Sequence, residues 1–218
     1  MVDRREQRRL DTRRRLLDAA EQVFSQKGYE EASVLDITET ADVSKRTFYL
    51  HFTDKEAVIE ALALRGFQEL RAQIETKDKA MHAAAPSGET FRQHFQSHAE
   101  VIFAYAASQP EMMQIVFGLQ GSFRLQTLTR EFMVRAWEEN FQHKCVFFPH
   151  APVPWQVTAN AIAGVTHQLL CWWFQNPNDF SPADMAAMST SLLFDGIAVN
   201  FDQSVFVDVK PEELVTEK

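Results

Sequence analysis

The sequence predicts an all-α protein of about nine helices, in which a three-helix N-terminal unit precedes a larger helical body. Three observations predict this. Apolar residues recur at three- and four-residue spacing along most of the 218 residues, as in Leu16, Leu17, Ala20, Val23 and Phe24. Period-two alternation long enough to build a sheet is absent. Helix punctuation recurs between the periodic stretches: capping Ser and Thr ahead of acids, Gly28, and a Pro-rich loop at Pro149, Pro152 and Pro154. At 45% hydrophobic and 24% charged residues, the chain has the composition of a globular protein with room for a small unit and a second domain.

The first helix is expected from about Thr12 to Lys27, stopped by Gly28 as a left-handed terminal residue. Upstream, Arg4, Arg5, Arg8 and Arg9 lead into Arg13, Arg14 and Arg15, opposed by Asp3, Glu6 and Asp11. This basic arm reads either as a segment reaching into a minor groove or as a solvated, frayed extension. Ser33 with Asp36, and Thr53 with Glu56, fit the capping box, in which side chains satisfy the orphan amides of a helix start. Val34, Ile37 and Ala41 share a face of a second, short helix, and Val43, Phe48 and Phe52 supply matching apolar surface on and before a third. The turn between them spans Ala41 to Ser44, where Asp42 tolerates a left-handed conformation better than most residues. Such short helices bury too little alone, so the first helix must complete their core. From Ser44 to Thr53 there is no carboxylate, while Ser44, Lys45, Arg46, Thr47, Tyr49 and His51 crowd the third helix. Cations, hydroxyls and planar donors without acids are what a helix needs to lie in a DNA groove.

From Leu16 to about Leu62 the chain resembles, without a gap, the tetracycline-repressor (TetR) family of helix-turn-helix regulators. The resemblance rests on Ala19, Ala20, Val23, Phe24, Lys27, Gly28 and Tyr29, then Ser33, Val34, Ile37, Val43, Ser44, Thr47, Phe48, Tyr49, His51, Phe52, Lys55 and Glu56. The family usually has Gly where Asp42 stands, a small residue at Arg46, and an aromatic or polar residue at Leu50. Arg46 bears on sequence preference, because a guanidinium can hold guanine O6 and N7 together. Lys45, Arg46 and Tyr49, early on the recognition helix, are expected at base edges. Ser44, Thr47, His51 and Lys55, with the amide ends near Ser33 and Thr53, are expected at phosphates. The division expected is residues 1–53 as arm and DNA-binding domain, 54–203 as a helical ligand-binding and dimerisation domain, and 204–218 as a tail.

The net charge of −8 is uneven: residues 1–55 carry 11 Lys or Arg against 11 acids, and residues 56–218 carry 11 against 19. An acidic body repels a duplex and helps to orient the head. No signal peptide or membrane-length apolar run is recognisable, so a cytoplasmic protein without a membrane partner is expected. Cys145 and Cys171, far apart in predicted helical and apolar surroundings, read as reduced, buried thiols.

The body begins with a long helix from Asp54, striped by Val58, Ile59, Leu62, Phe67, Leu70 and Ile74, which ends in the stretch from His82 to Gly88. Further helices are expected from about Glu89 to Ser108, Pro110 to Gly118, Ser122 to Cys145, Trp155 to Asn176 and Pro182 to Phe201. Ser181, Pro182 and Asp184 announce the last. Ile162, Val165, Leu169, Leu170, Trp172 and Trp173, then Met185, Met188, Leu192, Leu193, Phe194 and Ile197, leave the final two helices apolar over much of their circumference. The resemblance implies that a second copy covers the spare face in a four-helix interface using Ile162, Val165, Leu169, Trp172, Trp173, Met188, Leu192 and Phe194. A two-fold homodimer implies a double-stranded operator that is an inverted repeat.

The resemblance also implies a cavity for a small-molecule effector, for which Phe91, Phe95, His98, Phe103, Tyr105, Phe117, Phe123, Phe132, Trp137 and His167 are the candidate walls, although for each of them ordinary packing is the plainer reading. An effector there would tilt the long helix and separate the heads. Repression follows from the resemblance; activation depends on where the operator lies. His94 and His98, four apart on the apolar stripe of a helix, can hold a divalent metal, with His167 as a third ligand. No metal is required, and core histidines satisfied by carbonyls or water are the plainer reading. A metal-responsive regulator is thus the alternative. A helical enzyme with a His-lined pocket is the alternative from another class, but no Gly-rich phosphate loop, Gly-x-Ser-x-Gly elbow or His-Glu-x-x-His pair occurs.

Overall fold

The computed structural model describes residues 3–84, 91–119, 123–144, 152–176 and 179–196. Among these, every regular element is a helix. α1 (Arg4–Lys27), α2 (Val34–Thr40) and α3 (Lys45–Tyr49) form the head. α4 (Lys55–Ala84) leads into a body of α5 (Phe91–Ser108), α6 (Pro110–Phe117), α7 (Phe123–Lys144), α8 (Trp155–Gln175) and α9 (Pro182–Phe194).

The head is organised by its caps. Gly28, at φ 79°, closes α1 by donating its amide to the Phe24 carbonyl at 2.9 Å. Ser33 and Asp36 make the expected reciprocal box on α2, and the Lys27 ammonium adds a contact to the Asp36 carboxylate at 2.5 Å. That ammonium first, then the Ser33 hydroxyl, holds the Asp36 carboxyl well below the usual carboxylate range. Asp42 takes the left-handed conformation expected of the turn, at φ 50°. The Arg15 guanidinium locks this turn by donating to the carbonyls of Ala41 at 2.6 Å and Asp42 at 3.3 Å. Leu16, Ala20, Ile37 and Phe48 are fully buried where the three helices meet. Val58 and Ile59 of α4 are as deeply buried in the same continuous core, so the first turns of α4 complete the head.

Three boundaries differ from expectation. α1 starts at Arg4, because Asp3 accepts the Arg5 amide at 3.3 Å and Glu6 pairs with Arg9 one turn later at 2.8 Å; the basic arm is helix. At the start of α4, Asp54 takes the Ala57 amide at 2.7 Å while the Thr53 hydroxyl donates to Asp54, so the cap is Asp54 instead of a Thr53 and Glu56 box. α9 stops at Phe194, short of Phe201, where Asp195 donates back to Ser191 and Gly196 turns the chain at φ 76°. Ile197, Phe201, Cys145 and the tail at 204–218 lie outside the described residues.

In the body, α5 lies along α9 and α7 along α8, α6 packs on α8, and α4 crosses α1, α5 and α7. Aromatic rings fill the seams. Phe67 of α4 stacks on Phe132 of α7 at 4.5 Å, and Phe95 of α5 stacks on Trp137 of α7 at 5.6 Å. Burying such a ring contributes roughly 1.5–3 kcal/mol. No helix of the described residues is long and apolar enough to cross a membrane.

Candidate functional site

α3 has one buried anchor, Phe48, which meets Phe52 at 5.8 Å and the edge of Tyr49 at 5.4 Å. With Phe48 turned inward, the geometry of a single helical turn leaves Lys45, Arg46 and Tyr49 on the outside, and all three are exposed. Ser44 caps this helix by accepting the Thr47 amide at 3.1 Å, and the two hydroxyls lie 2.9 Å apart. Leu50 stands beside them at 76% exposure, an apolar side chain on the outer surface that only its departure from the family pattern had flagged. Arg14 is exposed on α1, whereas Arg13 lies over the Phe52 ring at 4.5 Å.

Of the residues expected at phosphates, Lys55 and Ser33 are engaged within the protein and His51 carries no charge. The Lys55 ammonium donates to the carbonyls of Tyr29 at 2.6 Å, Ala32 at 3.0 Å and Glu30 at 3.2 Å, and sits 4.3 Å from the centre of the Tyr29 ring. An ammonium has three protons, and these carbonyls account for them, so Lys55 ties α4 to the loop before α2. Burial of His51, and then the positive fields of Arg9 and Arg13, push its imidazole below the usual range, so it is neutral near pH 7. Ser33 is engaged in its own capping box.

The body holds a cavity of about 60 Å³ between α4, α5, α6, α7 and α8. Phe67, Leu70, Ile102, Met112, Met113 and Phe132 supply apolar wall, and Glu21, Arg65, Glu69, Tyr105 and Gln109 supply polar groups. The Tyr105 hydroxyl donates to Glu69 at 3.4 Å, and desolvation raises its pKa to about 12, so it is a neutral donor. Of the expected wall residues, Tyr105, Phe117 and Phe132 line this space. Phe95, Phe103 and Trp137 are core, Phe123 is 84% exposed, and Phe91 packs on Phe141 and Phe194. His98 lies elsewhere, toward Asp78, and His167 contacts the outer side of the cavity through Phe117, ring centres 5.5 Å apart. What the sequence could not show is that the cavity draws on Met112 and Met113 of α6 and reaches Glu21 of α1.

The histidines are brought together differently from the expectation. The rings of His94 and His98 of α5 lie 4.1 Å apart, tilted at 53°, and the third member of their group is Asp78 of α4, not His167. His167 is turned to Cys171, Nδ1 to Sγ 3.8 Å, and burial holds its imidazole below the usual range. Burial also pushes the Cys171 thiol up.

Among the residues expected between subunits, Ile162 is buried in its own chain's core and Phe194 packs on Phe91 and Phe95. The Trp173 indole donates to the Phe180 carbonyl at 3.2 Å, and its ring meets Phe103. Val165, Leu169, Met188 and Leu192 are partly buried. Trp172 is 41% exposed beside Phe180, and Val157, on the same helix, is 54% exposed.

Comparison with known proteins places this geometry. Residues 16–62 match the model of the bacterial regulatory proteins of the tetR family. The chain is 33% identical over 82 residues to the HTH-type transcriptional regulator UidR of Escherichia coli, covering 38% of this chain and 42% of that one. It is 38% identical over 66 residues to the HTH-type transcriptional repressor DhaR of a Mycobacterium species, covering 30% and 33% of the two chains. The matched segment therefore spans less than half the length of these relatives. The fold as a whole is similar to that of the transcriptional regulator FadR from Bacillus subtilis, solved in complex with stearoyl-CoA, with a TM-score of 0.57 at 19% identity over 84% of this chain and 98% of that one. The helix-turn-helix head is thus similar to that of the bacterial regulatory proteins of the tetR family, and the all-helical architecture to that of a solved transcriptional regulator.

Proposed function

We propose that this protein is a ligand-responsive transcriptional regulator that binds a palindromic operator as a homodimer and represses until an effector releases it. The observation that carries the reading is α3: a buried Phe48 at its back and Lys45, Arg46 and Tyr49 exposed at its front. Arg46 reads guanine through two parallel hydrogen bonds, and Tyr49 and Leu50 offer apolar contact to a thymine methyl. Lys45, expected from the sequence at a base edge, opens α3 next to its Ser44 cap and, with Ser44 and Thr47, holds the flanking phosphates. Catalysis has no part in this function, and the setting is the cytoplasm, where the chromosomal operator lies.

The second copy docks on the α8 and α9 face, where Trp172 and Val157 are exposed, and sets the head spacing by symmetry. The effector is a mainly apolar small molecule with a hydrogen-bonding end, matched to apolar walls that carry Tyr105, Glu69 and Gln109. A cavity of about 60 Å³ is well below the roughly 300–1,000 Å³ of ligand sites, so entry requires Met112, Met113 and Phe67 to repack. An effector that prefers the opened shape shifts the heads away from operator spacing in proportion to that preference.

Selection of duplexes from random DNA at two salt concentrations tests the reading. An inverted-repeat consensus, bound with a steep salt slope by a dimer in sedimentation, is expected. A monomer indifferent to duplex sequence overturns it. Thermal shift against fatty acids and acyl-CoA thioesters then tests the effector class.

A further inference from the structure

We propose that Asp78, His94 and His98 form a binding site for one divalent transition-metal ion, Zn²⁺ by its donor chemistry, which joins α4 to α5. The site is independent of the cavity, which none of the three residues lines.

The donors come from two helices. His94 and His98 stand four apart on α5, hence on one face, and Asp78 reaches them from α4. One ligand atom from each lies within 4.8 Å of the others. Asp78 Oδ1 is 2.6 Å from His98 Nε2 and 3.9 Å from His94 Nδ1. A tetrahedral ion with bonds of about 2.1 Å holds its ligand atoms about 3.4 Å apart, a value that these two separations bracket. Side-chain shifts of under about 1 Å therefore suffice.

The surroundings also fit. The three side chains are 14%, 15% and 4% exposed, so the ion would be largely withdrawn from water while keeping a position for a small exogenous ligand. Asn140 Oδ1 stands 3.3 Å from His94 Nε2 and, as an acceptor, fixes the proton on that nitrogen. The Nδ1 lone pair is then directed toward the Asp78 carboxylate, an arrangement that favours a cation between the two. An oriented imidazole whose other nitrogen donates to an amide or carboxylate oxygen is the usual support of a metal-bound histidine. Trp137 closes the other side, with ring centres 5.5 Å from His98 and 6.5 Å from His94.

Two imidazoles and one carboxylate favour Zn²⁺, Ni²⁺, Co²⁺ or Cu²⁺ over Mg²⁺ and Ca²⁺, which take oxygen ligands. Coordination through His98 Nε2 requires that nitrogen to give up the hydrogen it holds toward Asp78, which in a neutral imidazole moves to Nδ1 of the same ring. Because α4 runs from the head to this site, the ion would pin its far end to α5.

The test uses the full chain, stripped with a chelator and titrated with Co²⁺ for its ligand-field absorption and with Zn²⁺ against a chromophoric competitor. One ion per chain is expected. Asp78→Asn and His94→Gln should each weaken binding at least tenfold, His167→Gln should leave it unchanged, and Zn²⁺ should raise the Tm of the unaltered chain and not of the first two variants. His94 is partly exposed, so its variant keeps the test valid should Asp78→Asn fold poorly. Binding weaker than about 100 μM, or unchanged affinity in a folded Asp78→Asn or His94→Gln variant, overturns the proposal.

Discussion

Arg65 and Glu21 face each other across the joint between body and head: the guanidinium on α4 donates to the Glu21 carboxylate on α1 at 2.6 Å. A second branch reaches Asp18 at 2.7 Å, and both Arg65 and Glu21 also border the body cavity. A molecule entering that cavity meets the very groups that fix α1 against α4. The carboxylates are mostly solvated, so the pairs add little to stability, about 0–1 kcal/mol. Their value is positional.

Arg65→Met is therefore expected to lower stability in urea by less than about 1 kcal/mol. It should also bring the ratio of operator affinities without and with a ligand found by thermal shift close to one. Fluorescence anisotropy on labelled operator measures that ratio. A variant that keeps the full ratio shows that the cavity acts on the head by another route.

Arg46→Ala is expected to cost about 1–3 kcal/mol on the selected operator and to relax preference at one base pair per half-site. Lys45→Ala should instead weaken all duplexes alike and lower the salt slope by about one per head. Competition binding against single-base operator variants at two salt concentrations separates the two. Lys55→Ala offers the contrast: its ammonium serves three carbonyls of the loop before α2, so its loss should appear first in the melting temperature.

The head was legible because its signals are local. Gly28, the Ser33 and Asp36 box, and Asp42 each act within four residues, and each appears where the sequence placed it. Lys55 and Arg15 were not legible, since their carbonyl partners stand more than twenty positions away in sequence. A separation of twenty positions likewise hid Asp78 from His98, and a longer one hid Glu21 from the cavity. Periodicity identifies which face of a helix is apolar; it does not say which neighbour that face meets. Phe194 and Ile162, assigned to a subunit interface from the resemblance and their apolarity, serve their own chain's core for this reason.

Asp42→Gly is expected to stabilise the head. At φ 50° the backbone is in the left-handed region, which costs an L-residue roughly 1–2 kcal/mol, less for Asp, while the greater unfolded-state freedom of Gly offsets about 0.5–1 kcal/mol. A gain of up to about 1 kcal/mol should result, read as a higher urea midpoint, and Asp42→Val should lose more than that. A destabilised glycine variant means that the Asp42 side chain contributes to the turn beyond tolerating its conformation.

Stability should fall as the solution is acidified below neutrality, with His167 as one source. Burial depresses its folded-state pKa below the unfolded value of about 6.5, so between the two the unfolded chain binds the extra proton. The contribution is thus fully present above pH 6.5 and is lost as pH falls through the depressed value. His51, depressed by its own burial and by Arg9 and Arg13, acts with the same sign in the head. Melting temperatures from pH 7.5 to 5 should decline in the unaltered chain and decline less steeply in His167→Gln, which carries no titrating group at that position. Parallel curves for the two proteins would mean that His167 accepts a proton in the folded body without cost, through the Cys171 sulfur 3.8 Å away or by turning toward solvent.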